Sequence, residues 1–332
     1  MKLFDKFLPK IGQFYSKKLP LSYSKFKTKD IIINCRKKDM TTLFDVSQMN
    51  YLQISKQNNN VIKKLEYLFP INLEKLKPNK GELTVMLNNE CLIQDDFIIT
   101  NLEDNYRLII NSESTPLFQQ TLEDVGLTNN ILDKKIVAIQ GDGSNEFLNK
   151  MGFPIKQKFL ENVVFDDIEI TRCGYTGMDG FEIIGDEDKL THYLEKVIDL
   201  PNIMMGGLIE RDIMRLEAGF CLSGNEFGPN MDIHFNEADL DFIIKKRRRR
   251  EGGFIGFDNF NKVAEKKRVQ FSCNKSLLKH KDIFNKDGDK VGFITSNSFS
   301  FSKNKFLGMG YVSIGNEKDM FVKKKDELIK LD

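Results

Sequence analysis

The sequence predicts an α+β chain of more than one domain that finishes in a small all-β domain. Three observations carry this. The 332 residues exceed what one compact core usually serves. Apolar residues make up 40% and charged residues 30%, the balance of a globular rather than a disordered chain. The basic run "KKRRRREGGFIG", from Lys245, separates a region of mixed strand and helix spacing from a stretch of short β-type segments.

From the N-terminus, "LFDKFLPKIGQFYSKKL" has the composition of an amphipathic targeting helix, but it favours Lys over Arg and reads better as the start of the mature fold. In "DDFIITNLEDNYRLIINSE" two β-rich runs flank a polar turn, which predicts a hairpin. "VVFDDIEITR" is a strand that runs into "GYTGMDG" and leaves as the strand "FEIIG". "DEDKLTHYLEKVIDL" starts with acids and repeats Leu190, Tyr193, Leu194 and Val197 at helical spacing. In "GGLIERDIMRLEAG" the expected core face is Leu208, Ile209, Ile213 and Leu216, Arg211 and Arg215 share one side, and Gly219 stops the helix. Beyond the basic run, "KRVQFSC", "KVGFITSNSFSFS" and "LGMGYVSIG" are strands separated by turn residues. The boundary therefore divides 1–250 from 251–332.

Several function classes are disfavoured. Fifty basic residues against forty-eight acidic ones leave a net charge of +2, which argues against bulk nucleic-acid binding. No apolar run approaches the ~20 residues that span a bilayer. Cys35, Cys91, Cys173, Cys221 and Cys273 are scattered and odd in number, and read as buried small hydrophobes in a reducing compartment. None of His192, His234 and His280 sits near another His or a Cys at metal-ligand spacing, so no metal site is expected. Neither a P-loop nor a dinucleotide fingerprint opens a helix. The Lys245–Arg250 run reads as a solvated charge run, with anion binding as the sharper alternative.

"TRCGYTGMDGFEI" and "GLIERDIMRLEAGFCLSGNEF" together resemble the folate-dependent aminomethyltransferases, the T-proteins of the glycine cleavage system. "LFDVSQM", "MLNNECLIQDDFIIT" and "GFITSNSFSFSKNKFLGMGYV" resemble further motifs of that family in the same order. The resemblance implies three domains arranged as a cloverleaf around a central folate channel, two of them interleaved within 1–250, with 251–332 forming a C-terminal β-barrel. It implies an aminomethyltransferase that moves a one-carbon unit from aminomethyl-lipoyl H-protein to tetrahydrofolate. The implied partners are tetrahydrofolate as co-substrate and the lipoylated H-protein. No metal, nucleic acid or membrane is expected, and the family pattern is a monomer in the mitochondrial matrix. The alternative is a non-catalytic folate-binding relative that serves iron–sulfur assembly or acts as a scaffold, but that branch's K-G-C motif is absent.

Residue roles follow from the same resemblance. Asp96 takes the catalytic position; strand alternation lets only one of Asp95 and Asp96 meet a ligand. Glu182 takes the position that accepts N–H bonds from the pterin edge, and Arg211 that of a substrate contact. Tyr175 and Asn111 are expected as wall residues and Met49 as a packing surface for a flat ring. The bland readings are surface acids for Asp95 and Asp96, an outward strand residue for Glu182, a solvated or ion-paired helix arginine for Arg211, and plain core for Met49. Gln48, Met178 and Leu83 stand where the family motifs carry other residues.

Overall fold

The computed structural model describes residues 1–14, 17–153, 156–324 and 327–332. The chain forms two compact units, one of Met1–Leu65, Leu73–Leu83 and Phe97–Met214, the other of Glu66–Asn72, Thr84–Asp96 and Arg215–Asp332. Both the mixed α+β character and the all-β barrel at the C-terminus are present.

The first unit is organised on a six-stranded sheet in the order Asn162–Phe165, Ile168–Arg172, Gly180–Gly185, Lys135–Gln140, Thr41–Asp45, Ile203–Gly206. Only its last pair is parallel. The runs "FEII" and "IVAI" are buried throughout, as central strands covered on both faces must be. Leu43, Val137, Ile139, Phe181 and Ile183 pack with the helices Ser144–Met151 and Glu187–Leu194 in one apolar cluster. Phe4 and Phe7 join it, each at most 3% exposed, so the N-terminal stretch belongs to the fold; Tyr15 and Ser16 of that stretch lie outside the described residues.

The hairpin expected around "NLEDN" is present, with Ile98 opposite Ile109 and Asn101 opposite Tyr106. It lies in a five-stranded sheet ordered Lys80–Leu87, Ile93–Asn101, Asn105–Ile110, Asn50–Ser55, Asn129–Leu132. Within the first unit a buried arginine ties this sheet to the other. Arg107 is 1% exposed and donates to Thr100 and Thr171 Oγ1 at 2.8 and 3.0 Å and to Asn162 Oδ1 at 3.2 Å. It also pairs with Glu169, whose second oxygen accepts the Tyr51 hydroxyl at 2.7 Å. A charge this deep is tolerable only when paired and hydrogen-bonded.

The second unit carries the barrel, in the order Lys266–Cys273, Lys305–Ser313, Lys290–Ser300, Asp282–Phe284, Met320–Lys324, Glu327–Leu331. Reciprocal backbone bonds between Ser272 and Asp332, 2.8 and 2.9 Å, join the last strand to the first. The glycines of "LGMGYV" are steric necessities: a Cβ at Gly308 would sit 2.2 Å from the Phe271 ring, and one at Gly310 would sit 2.4 Å from the Phe293 carbonyl.

The helix Leu208–Ala218 ends where expected, at Gly219 with φ +84°. One of its core residues is corrected: Ile209 is 43% exposed, because the buried side of this helix runs through Glu210 and Met214, both 0% exposed. The basic run is neither a solvated stripe nor an open anion site at its centre. Arg247 pairs with Glu66 and Glu251, and Arg248, 5% exposed, donates to the Glu66 carbonyl and stacks 5.6 Å over Phe254. No helix among the described residues is long and apolar enough to cross a membrane.

Arg107→Leu is expected to lower unfolding stability by about 3–5 kcal/mol in urea titration, because it strands the Glu169 carboxylate. The double variant Arg107→Leu/Glu169→Leu should recover part of that loss.

Candidate functional site

The glycine-rich loop after Arg172 is shaped by one side chain that the sequence reading passed over. Gln140 ends a strand and is fully buried. Its amide nitrogen donates to the Cys173 carbonyl at 3.1 Å, and its oxygen accepts the Thr176 hydroxyl at 2.9 Å and the Tyr175 N–H at 3.3 Å. The carboxamide fills the space that side chains at Gly174 and Gly180 would need; added Cβ atoms there would lie 2.6 and 2.3 Å from it. Gly177 has φ +75°, a conformation that favours glycine. Outside the turn, Arg172 grips Asp179 with two bonds of 2.9 and 2.6 Å. These glycines are therefore where the backbone wraps a buried amide.

The loop presents Tyr175 to the helix Leu208–Ala218. The Arg211 guanidinium lies 4.8 Å over the Tyr175 ring, and its Nη2 stands 3.7 Å from Glu182 Oε1. Glu182, 8% exposed, projects from the strand Gly180–Gly185, where it is paired with Thr171 and Ala138. At 3.7 Å this is a loose ion pair rather than a bidentate one. Arg211 Nη1 is buried with no hydrogen-bond partner among the described residues. A carboxylate that accepts N–H groups thus sits beside a guanidinium with donor capacity to spare, over an aromatic ring. The thiol of Cys173 is pushed well up by burial and by neighbouring Glu182, so it stays protonated and is no nucleophile.

The structure brings Glu182, Arg211 and Tyr175 together. Met49 and Asn111 form a second group: Asn50 is opposite Ile110 in the sheet, so both flank the same strand end, and both are half-buried. Glu182 is no outward strand residue, and Arg211 is partly ion-paired.

Asp96 lies in the second unit. Alternation along its strand holds, with Asp95 0% exposed and Asp96 half-buried, so they are not a pair of surface acids. Burial first, then the negative charges of Asp95 and Glu226, push the Asp96 carboxyl up to about 8. Glu226 is itself fully buried and saturated: it accepts Arg215 Nη1 at 2.7 Å, the Leu222 N–H and Thr295 hydroxyl at 2.8 Å, and the Ser296 hydroxyl at 2.5 Å. Burial first, then the charges of Glu226 and Asp96 against the opposing charge of Arg268, lift the Cys221 thiol to about 12. Asp96 is therefore an acid poised to change charge just above neutrality. Among the described residues no group of His, Cys, Asp and Glu is arranged to hold a metal ion.

Sequence reasoning missed Gln140 and Glu226. A polar residue closing the apolar run "IVAIQ" next to a glycine-rich loop was the available signal for the first. Glu226 lies inside the quoted "GFCLSGNEF", but nothing in the linear pattern marks it as the partner of Arg215.

Residues 5–248 match the family described as "GCVT N-terminal domain", and residues 266–330 match the "Glycine cleavage T-protein C-terminal barrel domain". A mitochondrial aminomethyltransferase of Flaveria anomala is 32% identical over 341 residues, covering 93% of this chain and 80% of the plant protein. The mitochondrial aminomethyltransferase of Homo sapiens is 31% identical over 298 residues, covering 82% and 72%. The crystal structure of glycine cleavage system aminomethyltransferase T from Bartonella henselae superposes with a TM-score of 0.91 at 27% identity, covering 99% of this chain and 94% of that one.

Gln140→Leu keeps the bulk but orphans the Thr176 hydroxyl, the Tyr175 N–H and the Cys173 carbonyl. At about 1–3 kcal/mol for each buried group left unsatisfied, a lower melting temperature and faster amide exchange over 173–180 are expected. For Asp96 the sign is that of an acid whose folded pKa lies above its unfolded value: the native state holds the proton longer, so stability falls as pH rises from about 4 to about 8. Asp96→Asn should flatten that slope in denaturation midpoints measured across the interval.

Proposed function

Because the chain belongs to the glycine cleavage T-protein family and is an aminomethyltransferase of that system, we propose that Asp96, Glu182 and Arg211 are the residues that carry its reaction. The transferase moves the one-carbon unit from the aminomethyl-lipoyl arm of H-protein to tetrahydrofolate. The products are 5,10-methylenetetrahydrofolate, ammonia and dihydrolipoyl H-protein.

The observation that carries the assignment is the Glu182–Arg211–Tyr175 group on the glycine-rich loop. Tetrahydrofolate supplies the attacking nitrogen, so the protein needs no nucleophile of its own, and the protonated Cys173 beside Glu182 fits that division of labour. Glu182 accepts N–H bonds from the aminopyrimidine edge of the pterin, a bidentate match for a carboxylate. Arg211, with its buried spare donor, contacts an oxygen of the substrate, and Tyr175 holds the guanidinium flat. Tyr175, Asn111 and Met49 wall the ligand. Asp96 stabilises positive charge while carbon–nitrogen bonds rearrange, a task that requires its ionised form. Lipoylated H-protein is the macromolecular partner. The mitochondrial names of the plant and human relatives support work in the mitochondrial matrix.

The test is folate-dependent ammonia release from aminomethyl-loaded H-protein. Asp96→Asn should lower the rate by about 10²–10⁴-fold with tetrahydrofolate binding retained. For the wild type, kcat/KM should climb with pH through about 8 and then level off. Glu182→Gln should act mainly on KM for tetrahydrofolate. An Asp96→Asn enzyme with wild-type turnover would remove Asp96 from the mechanism.

A further inference from the structure

Gln140 bonds to the glycine-rich loop through both ends of its carboxamide, and each bond has a fixed direction. Its Nε2 only donates and its Oε1 only accepts. The Cys173 carbonyl takes a donor, whereas the Tyr175 N–H and the Thr176 hydroxyl give to an acceptor. Nε2 also stands 3.2 Å from the Ile139 carbonyl, so a flipped amide would set its oxygen against two carbonyls. No hydrocarbon side chain meets these demands. The chain just past Gln140 holds the far end of the loop. The Gly141 N–H donates to the Asp179 carbonyl at 2.9 Å, and the Ser144 hydroxyl lies 3.4 Å from the same oxygen. Residues 173–179 are thus closed onto residues 140–144 at both ends.

The sheet register connects this anchor to Glu182. Gly180 is opposite Gln140 and Glu182 is opposite Ala138, so Gln140 and Glu182 stand on one face of the sheet as diagonal neighbours. Tyr175 completes the link. Its N–H ends on Gln140, and its ring lies against the Arg211 guanidinium, which stands 3.7 Å from Glu182. A pair this loose does not by itself fix the guanidinium, and the ring supplies the missing plane.

We propose that Gln140 is a positioning residue for tetrahydrofolate recognition: its carboxamide sets the Tyr175 ring under Arg211, and so the aim of Arg211 and Glu182 at the pterin. This rests on the assignment of Glu182 and Arg211 to tetrahydrofolate. Gln140 touches no reacting atom, so its loss acts on affinity rather than on the chemical step.

The experiment titrates tetrahydrofolate into full-length protein, without oxygen and well below the melting temperature of every variant. Gln140→Leu should raise Kd about tenfold and keep kcat at saturation within about threefold of wild type. Gln140→Leu/Thr176→Val removes the orphaned hydroxyl and should recover part of the lost melting temperature, yet leave Kd raised. Arg172→Gln opens only the clamp on the outer side of the turn and should leave Kd within about twofold. In ¹⁵N-labelled protein the Arg211 Nε–H resonance, shielded by the Tyr175 ring, should move in Gln140→Leu and stay in Arg172→Gln. A wild-type Kd in Gln140→Leu, or a Kd that returns with the melting temperature in the double variant, would overturn this role alone, provided that the wild type binds tetrahydrofolate and releases ammonia. A wild type that does not bind tetrahydrofolate would overturn it together with the assignment of Glu182 and Arg211.

Discussion

The buried carboxamide of Gln140 is the constraint on which the first unit's glycine-rich loop depends. It donates to the Cys173 carbonyl and accepts from the Tyr175 N–H and the Thr176 hydroxyl, so it ties both sides of the loop's first turn. Glu182 stands on the strand that leaves this loop, and Arg211 rests on the ring the loop presents. A hydrogen-bonded amide in a dry interior is strong and expensive to disturb, which makes it a suitable anchor for a glycine-rich segment with little rigidity of its own.

The buried charges follow a common logic within each unit. Arg107 is matched by Glu169 and Arg215 by Glu226, and hydroxyl groups add further hydrogen bonds to each pair. Asp96 is treated differently. The charges acting on it, Asp95 and Glu226, are both acidic, and Glu226, whose bonds are spent on Arg215, the Leu222 N–H and two hydroxyls, contributes repulsion rather than relief. Groups with pKa values driven apart by their surroundings mark where proton-linked chemistry is set up.

Much of this was legible in the sequence, for reasons that vary by element. The hairpin around "NLEDN" and the helix stopping at Gly219 were readable because turn residues and periodicity act locally. The nearness of Glu182, Arg211 and Tyr175 followed from a motif resemblance; nothing local announces that residues 175, 182 and 211 meet. Ile209 was misplaced because helical spacing fixes a stripe but not which stripe the neighbours cover. The arginines of the Lys245–Arg250 run looked solvated because Glu66, their partner, is remote in sequence. For Gln140 the linear signal was only a polar residue closing an apolar run; its bonding role exists only once two strands are adjacent.

The joining of Ser272 to Asp332 bears on biogenesis. The C-terminal ring cannot complete itself until residue 332 has emerged from the ribosome. Glu66–Asn72 and Thr84–Asp96, made early, belong to the unit that this ring completes. They must wait through more than a hundred further residues of translation, a long-range arrangement that slows maturation and leaves half-made chains in need of chaperones.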